Sequence, residues 1–127
     1  MSPNKVVITI PGRMEALNNY INAERANRYK GANIKRDQQS LVFFYCPDMD
    51  KPIPNAHISI TYYEPDKRRD PDNVGFARKW ILDGLVQGGV IATDGWKGLD
   101  MPAPFTEAFY VDKQNPRIEI TVERRGG

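Results

Sequence analysis

Hydrophobic positions along the chain change their spacing several times, and each change marks an element. Val6-Val7-Ile8-Thr9-Ile10 is a short β-branched run closed by Pro11-Gly12, the pattern of a strand. Arg13 to about Asp37 is polar and free of proline, with Met14, Leu17 and Ile21 at helical spacing and Tyr20 and Ala23 beside that stripe. The spacing predicts a long amphipathic helix, broken near Gly31. Leu41-Val42-Phe43-Phe44-Tyr45 reads as a second strand. A loop with Pro47, Pro52 and Pro54 leads to a third, His57 to Tyr63, where Ile58, Ile60 and Tyr62 alternate with polar neighbours and Tyr63. A second helix from Asn73 to Gln87 ends at Gly88-Gly89. Ala108 to Asp112 and Arg117 to Glu123 read as a hairpin turning at Asn115-Pro116. The order expected is β-α-β-β-α-β-β, an α+β domain whose mixed or antiparallel sheet packs with two helices.

Composition narrows the classes. With 127 residues, 40% of them apolar, the chain supports one core and one domain, 1–127. No run approaches the roughly 20 apolar residues of a membrane span. Met1 to Lys5 leads straight into a strand pattern without an apolar leader, so export is not expected and a cytoplasmic location is. One cysteine, Cys46, and one histidine, His57, exclude an internal disulfide and a Cys/His zinc site. Any metal must therefore sit on oxygen ligands. Net charge is only +2, so charge placement matters more than the total. Arg13, Arg25, Arg28, Lys30, Lys35 and Arg36 outnumber Glu15, Glu24 and Asp37 in the first helical stretch.

Candidate chemistry lies between Asp66 and Trp96. On a helix from Asn73 to Gln87, at about 100° per residue, Val74, Ala77, Ile81 and Leu85 form one core stripe. Asp72, Lys79 and Asp83 share the opposite face with Phe76, an aromatic that there needs a partner chain or a ligand to pack on. Lys79 leans back toward Asp70 and Asp72, whereas Arg78 points elsewhere. A structural reading accounts for the same residues. Asp70 caps the helix, Pro71 opens it, Asp72 complements its dipole, and Lys79 pairs with Asp83 across one turn.

The functional reading is phosphodiester hydrolysis. Such a reaction gains from a divalent ion that polarises phosphate and acidifies water. Mg²⁺ takes oxygen ligands and only one or two protein carboxylates at a time, which Asp70 and Asp72, with a third acid from a later loop, would supply. Lys67-Arg68-Arg69 directly before them would draw in a nucleic-acid backbone that the acids repel.

Lys67-Arg68-Arg69-Asp70-Pro71-Asp72-Asn73, then Ile81-Leu82-Asp83-Gly84-Leu85, Gly88-Gly89-Val90-Ile91 and Asp94-Gly95-Trp96, resemble the RusA family of Holliday-junction resolvases, in the branch of Gram-positive phages and prophages. Ile10-Pro11-Gly12, Leu17-Asn18-Asn19-Tyr20, Ala23 to Tyr29 and Asn115 to Ile120 extend the likeness over most of the chain. The resemblance implies metal-binding and catalytic roles for Asp70, Asp72 and Asp94, and a catalytic lysine that falls on Lys79 if about three extra residues precede it. It implies a homodimeric, Mg²⁺-dependent endonuclease, with Mn²⁺ as a substitute ion, that nicks two opposed strands of a four-way DNA junction in a bacterial host cell. No organic cofactor and no membrane partner are expected.

A helix of roughly 22 Å separates Asp94 from Asp70 and Asp72. The segment from Gly89, about 20 Å if extended, just returns along it, or Asp94 serves the partner's site. Lys67, Arg68, Arg69, Arg25, Arg28 and Lys30 are the candidate DNA contacts, with Arg124-Arg125 beside them. His57 reads as an ordinary outward residue, Cys46 as a buried small hydrophobe, and Trp80 and Trp96 as core or interface. The rival class is a dimeric module that grips branched DNA without cutting it.

Overall fold

The computed structural model describes residues 3–125; Met1 and Ser2, on which part of the export expectation rests, lie outside them, as do the last two glycines. The elements run β1 (Lys5–Pro11), α1 (Leu17–Ala26), α2 (Arg28–Tyr45), β2 (Ala56–Glu64), α3 (Pro71–Gly75), α4 (Ala77–Gln87), β3 (Phe105–Val111) and β4 (Arg117–Arg124). This is an α+β domain with a mixed four-stranded sheet in the order β1-β4-β2-β3. No helix among the described residues is long and apolar enough to cross a membrane.

Four expectations about elements are corrected. The first helix runs on through Leu41–Tyr45, which is the last part of α2 and not a strand. Residues of high β propensity are helical there because one face, with Ile34, Leu41, Val42 and Tyr45, has helical spacing and packs on the core. Phe43 and Phe44 stay on the outside. The break falls at Asn27 rather than Gly31. Asn27 is extended, and its side chain accepts a 2.7 Å hydrogen bond from Tyr29 N–H, an N-cap that starts α2 afresh.

The expected hairpin is absent. β3 and β4 follow each other in sequence, but β2 lies between them, antiparallel to β4 and parallel to β3. A helix-bearing connection of dozens of residues is what a parallel pair requires, and α3–α4 provide it between β2 and β3. The order is therefore β-α-α-β-α-α-β-β. The second helix is also divided, at Phe76, into α3 and α4.

Helices cover one sheet face. Val6, Ile8 and Ile10 of β1, Ile58, Ile60 and Tyr62 of β2, and Ile118, Ile120 and Val122 of β4 point into that layer. They meet Val74, Ala77, Trp80, Ile81 and Leu85, which include the whole expected core stripe. Val42 of α2 packs into the space that Gly84 leaves on α4, where a Cβ would lie 2.6 Å from Val42 Cγ1 and 3.0 Å from the Gln39 carbonyl. Gly84→Ala should therefore overpack this crossing and lower stability by about 1–3 kcal/mol in chemical denaturation. Wild-type stability in that variant would contradict so close a helix approach.

Candidate functional site

β2 and β3 run the same way, and the chain leaves β2 directly into the loop that carries the acids. Crevices beyond the carboxyl ends of parallel strands are where such sheets take ligands. Here a cleft of about 480 Å³ is lined by Glu64 at the end of β2, Tyr110 and Val111 at the end of β3, and Asp66, Lys67, Arg69 and Asp70 of the loop between. A second cleft of about 400 Å³ shares Pro71 and Phe109 with it and adds Asp72, Arg78 and Glu107. A third of about 350 Å³ shares Gly75, Phe76 and Arg78 with the second and adds Lys79, Asp83, Asp94 and Phe105. The three form one trough between the inner face of β3 and the outer side of α3–α4.

Asp70, Asp72 and Asp94 thus line the same trough in succession, and Asp94 joins it within its own chain. Each is exposed. Asp70 stands at the N-cap position of α3 but makes no capping hydrogen bond, which corrects the structural reading. Pro71 follows at the first helical position and has no N–H to satisfy. Among the described residues, the side chains of Asp70, Asp72, Lys79, Asp83 and Asp94 engage in no hydrogen bond or ion pair, so the expected Lys79–Asp83 pair is also absent. Lys79 lines the cleft of Asp94 rather than those of Asp70 and Asp72. The helix is interrupted at Phe76, whereas a helical wheel drawn from Asn73 counts straight through that residue.

The floor of the first cleft is built from charges already spent on each other. Glu64 is nearly buried and accepts hydrogen bonds from Arg13 Nη2 at 2.7 Å and Nε at 3.2 Å. The two bonds from one guanidinium commit Arg13 to Glu64. Arg69 is also turned inward, donating to the Met14 carbonyl at 3.2 Å. Arg68 is open to solvent, its nearest acid Asp66 at 3.7 Å, and Lys67 is exposed. Arg25, Arg28 and Lys30 are exposed at the α1–α2 corner and line none of the three clefts. Arg28 lies over the Tyr29 ring, 5.1 Å from its centroid.

Two further residues of the site escaped the sequence reading. Glu107 sits on the inward register of β3, opposite Ile60 of β2, and shares a cleft with Asp72. It accepts from Arg78 Nη1 at 2.6 Å and from the Tyr62 hydroxyl at 3.0 Å. Arg78 does not point away, as expected, but lines the second and third clefts. The available signal was Glu107 itself, a charge flanked by Phe105 and Phe109 in strict alternation on an edge strand.

Two other expectations change. Phe76 packs within the chain, its ring 5.8 Å from Tyr20 and 5.3 Å from Trp80, and needs no partner or ligand. His57 is buried rather than outward. Its Nδ1 lies 3.2 Å from Asp100 Oδ2 and its Nε2 2.7 Å from Thr106 Oγ1, so it ties β3 to the segment that follows Asp94. Trp80 is core, and Trp96 is 81% exposed beside Asp94. Asn73 has a structural task, accepting a 3.0 Å hydrogen bond from Asn18 N–H and so joining α3 to the start of α1.

Among the described residues, no three His, Cys, Asp or Glu side chains form a group able to hold a metal ion. The donor set fits a hard cation that keeps most of its water, since Mg²⁺ asks for one or two protein carboxylates. Asp72 and Glu107 line one cleft, and Asp70 lines the adjoining one.

Because Asp70 caps nothing through its side chain, Asp70→Ala should change stability by less than about 0.5 kcal/mol. A capping role would instead cost about 1 kcal/mol in thermal or chemical denaturation. Cys46 is half-buried with Sγ 3.4 Å from the Val42 carbonyl, and burial pushes its thiol up to about 11. It should react with a disulfide reagent at pH 8 far more slowly than in the unfolded chain, and equal rates would show the thiol to be open. No protein-family model matches this chain and a search of curated proteins returns no match, so its function has to be read from the trough.

Proposed function

We propose that this chain is a Mg²⁺-dependent, structure-selective endonuclease of the RusA type, which resolves four-way DNA junctions by paired nicks. The observation that carries this reading is a trough lined by exposed acids with no partner among the described residues, which opens at the carboxyl ends of the parallel strands and runs along β3 beside unpaired cations. Unpartnered carboxylates in a concave site are poor stabilisers of a fold and good ligands for a hard cation.

In this mechanism Asp70, Asp72 and Asp94, offered one or two at a time from adjoining clefts, would hold Mg²⁺ or Mn²⁺, and such an ion would supply phosphate polarisation and an acidified water. Lys67, which lines the first cleft, and the solvent-exposed Arg68 next to it in sequence attract the backbone electrostatically. Lys79, in the cleft of Asp94, stabilises charge on the phosphate or leaving oxygen. Glu64 takes no part, since Arg13 neutralises it. Two copies related by a two-fold axis would present one trough to each of two equivalent strands, which suits a junction of near two-fold symmetry. Arg25, Arg28 and Lys30, away from the trough, would contact the arms of the junction. Such work belongs in the cytoplasm of a bacterial host.

The test is a labelled synthetic four-way junction with wild type, Asp70→Asn and Asp72→Asn, in Mg²⁺, in Mn²⁺ and in chelator. Wild type should cut in either metal and not in chelator. Each variant should cut about a hundredfold more slowly or worse while binding the junction at least as well. A wild-type protein that binds junctions and never cuts them would establish the rival, a non-catalytic module for branched DNA. Absence of binding at low salt would overturn both.

A further inference from the structure

Arg78 stands at the one place in the trough where the clefts of Asp72 and Asp94 meet. Among the described residues it is the only cation lining both, since Lys79 reaches the third cleft alone and Lys67 and Arg69 the first. We infer that Arg78 is a phosphate-gripping residue of the trough, and that Glu107, braced by Tyr62, is the positioning residue that aims it. This rests on the nucleic-acid reading above and names a contact which that reading does not contain.

The geometry is that of a preset donor. Arg78 leaves the first turn of α4 and crosses to β3, where Nη1 meets Glu107 Oε1 at 2.6 Å and the guanidinium carbon lies 4.6 Å from the Phe105 ring centroid. One hydrogen bond and one ring face hold it. A guanidinium has five N–H donors, and the single bond to Glu107 leaves the others without a partner among the described residues. The side chain is 41% exposed and lines both clefts, so it is open to the trough. A planar fork held in place matches the paired oxygens of a phosphodiester.

Glu107 is fixed from its other side. Tyr62 is fully buried, stacks on Phe109 at 4.9 Å, and donates its hydroxyl to Glu107 Oε2 at 3.0 Å. Burial first, then the charge of Glu107, holds that hydroxyl well above its usual range, so it remains a donor. The order Tyr62 to Glu107 to Arg78 runs from core to trough, and each member limits the next. Electrostatics requires a cation at this point. Asp72 and Glu107 on one side and Asp83 and Asp94 on the other would repel a backbone laid along the trough, and Arg78 separates them.

The competing explanation is a tether that merely fastens α4 to β3. Salt dependence separates the two. Affinity for a labelled four-way junction is measured without metal at several salt concentrations for wild type, Arg78→Ala, Arg78→Lys and Glu107→Gln, with the thermal midpoint of each. Arg78→Ala should bind about tenfold more weakly at low salt and lower the slope of log affinity against log salt by about one. Arg78→Lys should keep the wild-type slope but recover only part of the affinity, having charge without the fork. Glu107→Gln keeps the Tyr62 hydrogen bond and every cation, and should lose affinity several-fold at an unchanged slope. A lowered midpoint in Arg78→Ala with slope and affinity as in wild type would show a tether only and overturn the inference. If that result came with cleavage by wild type, the nuclease reading would stand without it. If wild type bound and never cut, the nuclease reading alone would fall, and the Arg78 slope would still decide this inference.

Discussion

The parallel pairing of β2 with β3 is the constraint on which the rest of the molecule depends. Its register, Ile58 opposite Phe105 through Glu64 opposite Val111, brings the carboxyl ends of two strands together. It obliges the chain between them to cross the sheet as α3–α4. The loop from Asp66 to Asp70 then opens above one strand end, and the face of α4 turns toward the edge strand. The trough is what remains between helix and edge. A hairpin of β3 with β4, as the turn residues suggest, would leave the loop acids facing no wall, and Glu107 would have no Arg78 within reach.

Much of this was legible in local pattern. β1, β2 and β4 follow from alternation because one sheet face is wet and the other dry, and period two survives only under that asymmetry. The stripe of Val74, Ala77, Ile81 and Leu85 was legible for the same reason on a helix, and all four are buried. What escaped depends on contacts distant in sequence. Leu41 to Tyr45 has strand-like composition, and the packing of its helical face on the core, with Val42 against Gly84, makes helix the better state. His57 has the address of an outward residue, and only Asp100 and Thr106 make its burial tolerable. Strand order escaped because a turn dipeptide such as Asn115-Pro116 reports a reversal of direction and not which strand lies alongside.

The site divides in the same way. Asp70 and Asp72 were legible as acids at a strand-to-helix junction, Lys79 by its place on the helix and Asp94 through the family resemblance, and the trough contains all four. Their grouping was not legible, since Lys79, beyond the interruption at Phe76, lines the cleft of Asp94 and not that of Asp72. Glu107 left a trace in its alternation with Phe105 and Phe109, but its pairing with Arg78 was not legible because neither residue identifies the other. An arginine in the first turn of a helix and a glutamate on an edge strand are ordinary surface residues until the crossover sets them 2.6 Å apart.

Charge economy distinguishes the working part of the trough from its frame. Arg13 and Glu64 neutralise each other at the first cleft, and outside the trough Arg117 holds both Asp112 and Glu119. In that last trio the guanidinium draws the Asp112 carboxyl below its ordinary range, with the Asn115 N–H adding to the effect. These groups are matched within the chain, and a ligand would have to break them apart before using them. Asp70, Asp72 and Asp94 have no such match, and nearby cations that could supply one, Lys67 and Lys79, are left equally free. A fold selected only for stability gains little from keeping opposite charges adjacent and unpaired along a groove. Acids and bases held apart over three adjoining clefts make sense when a third party carries both signs, and a phosphate backbone accompanied by its divalent counterion is such a party.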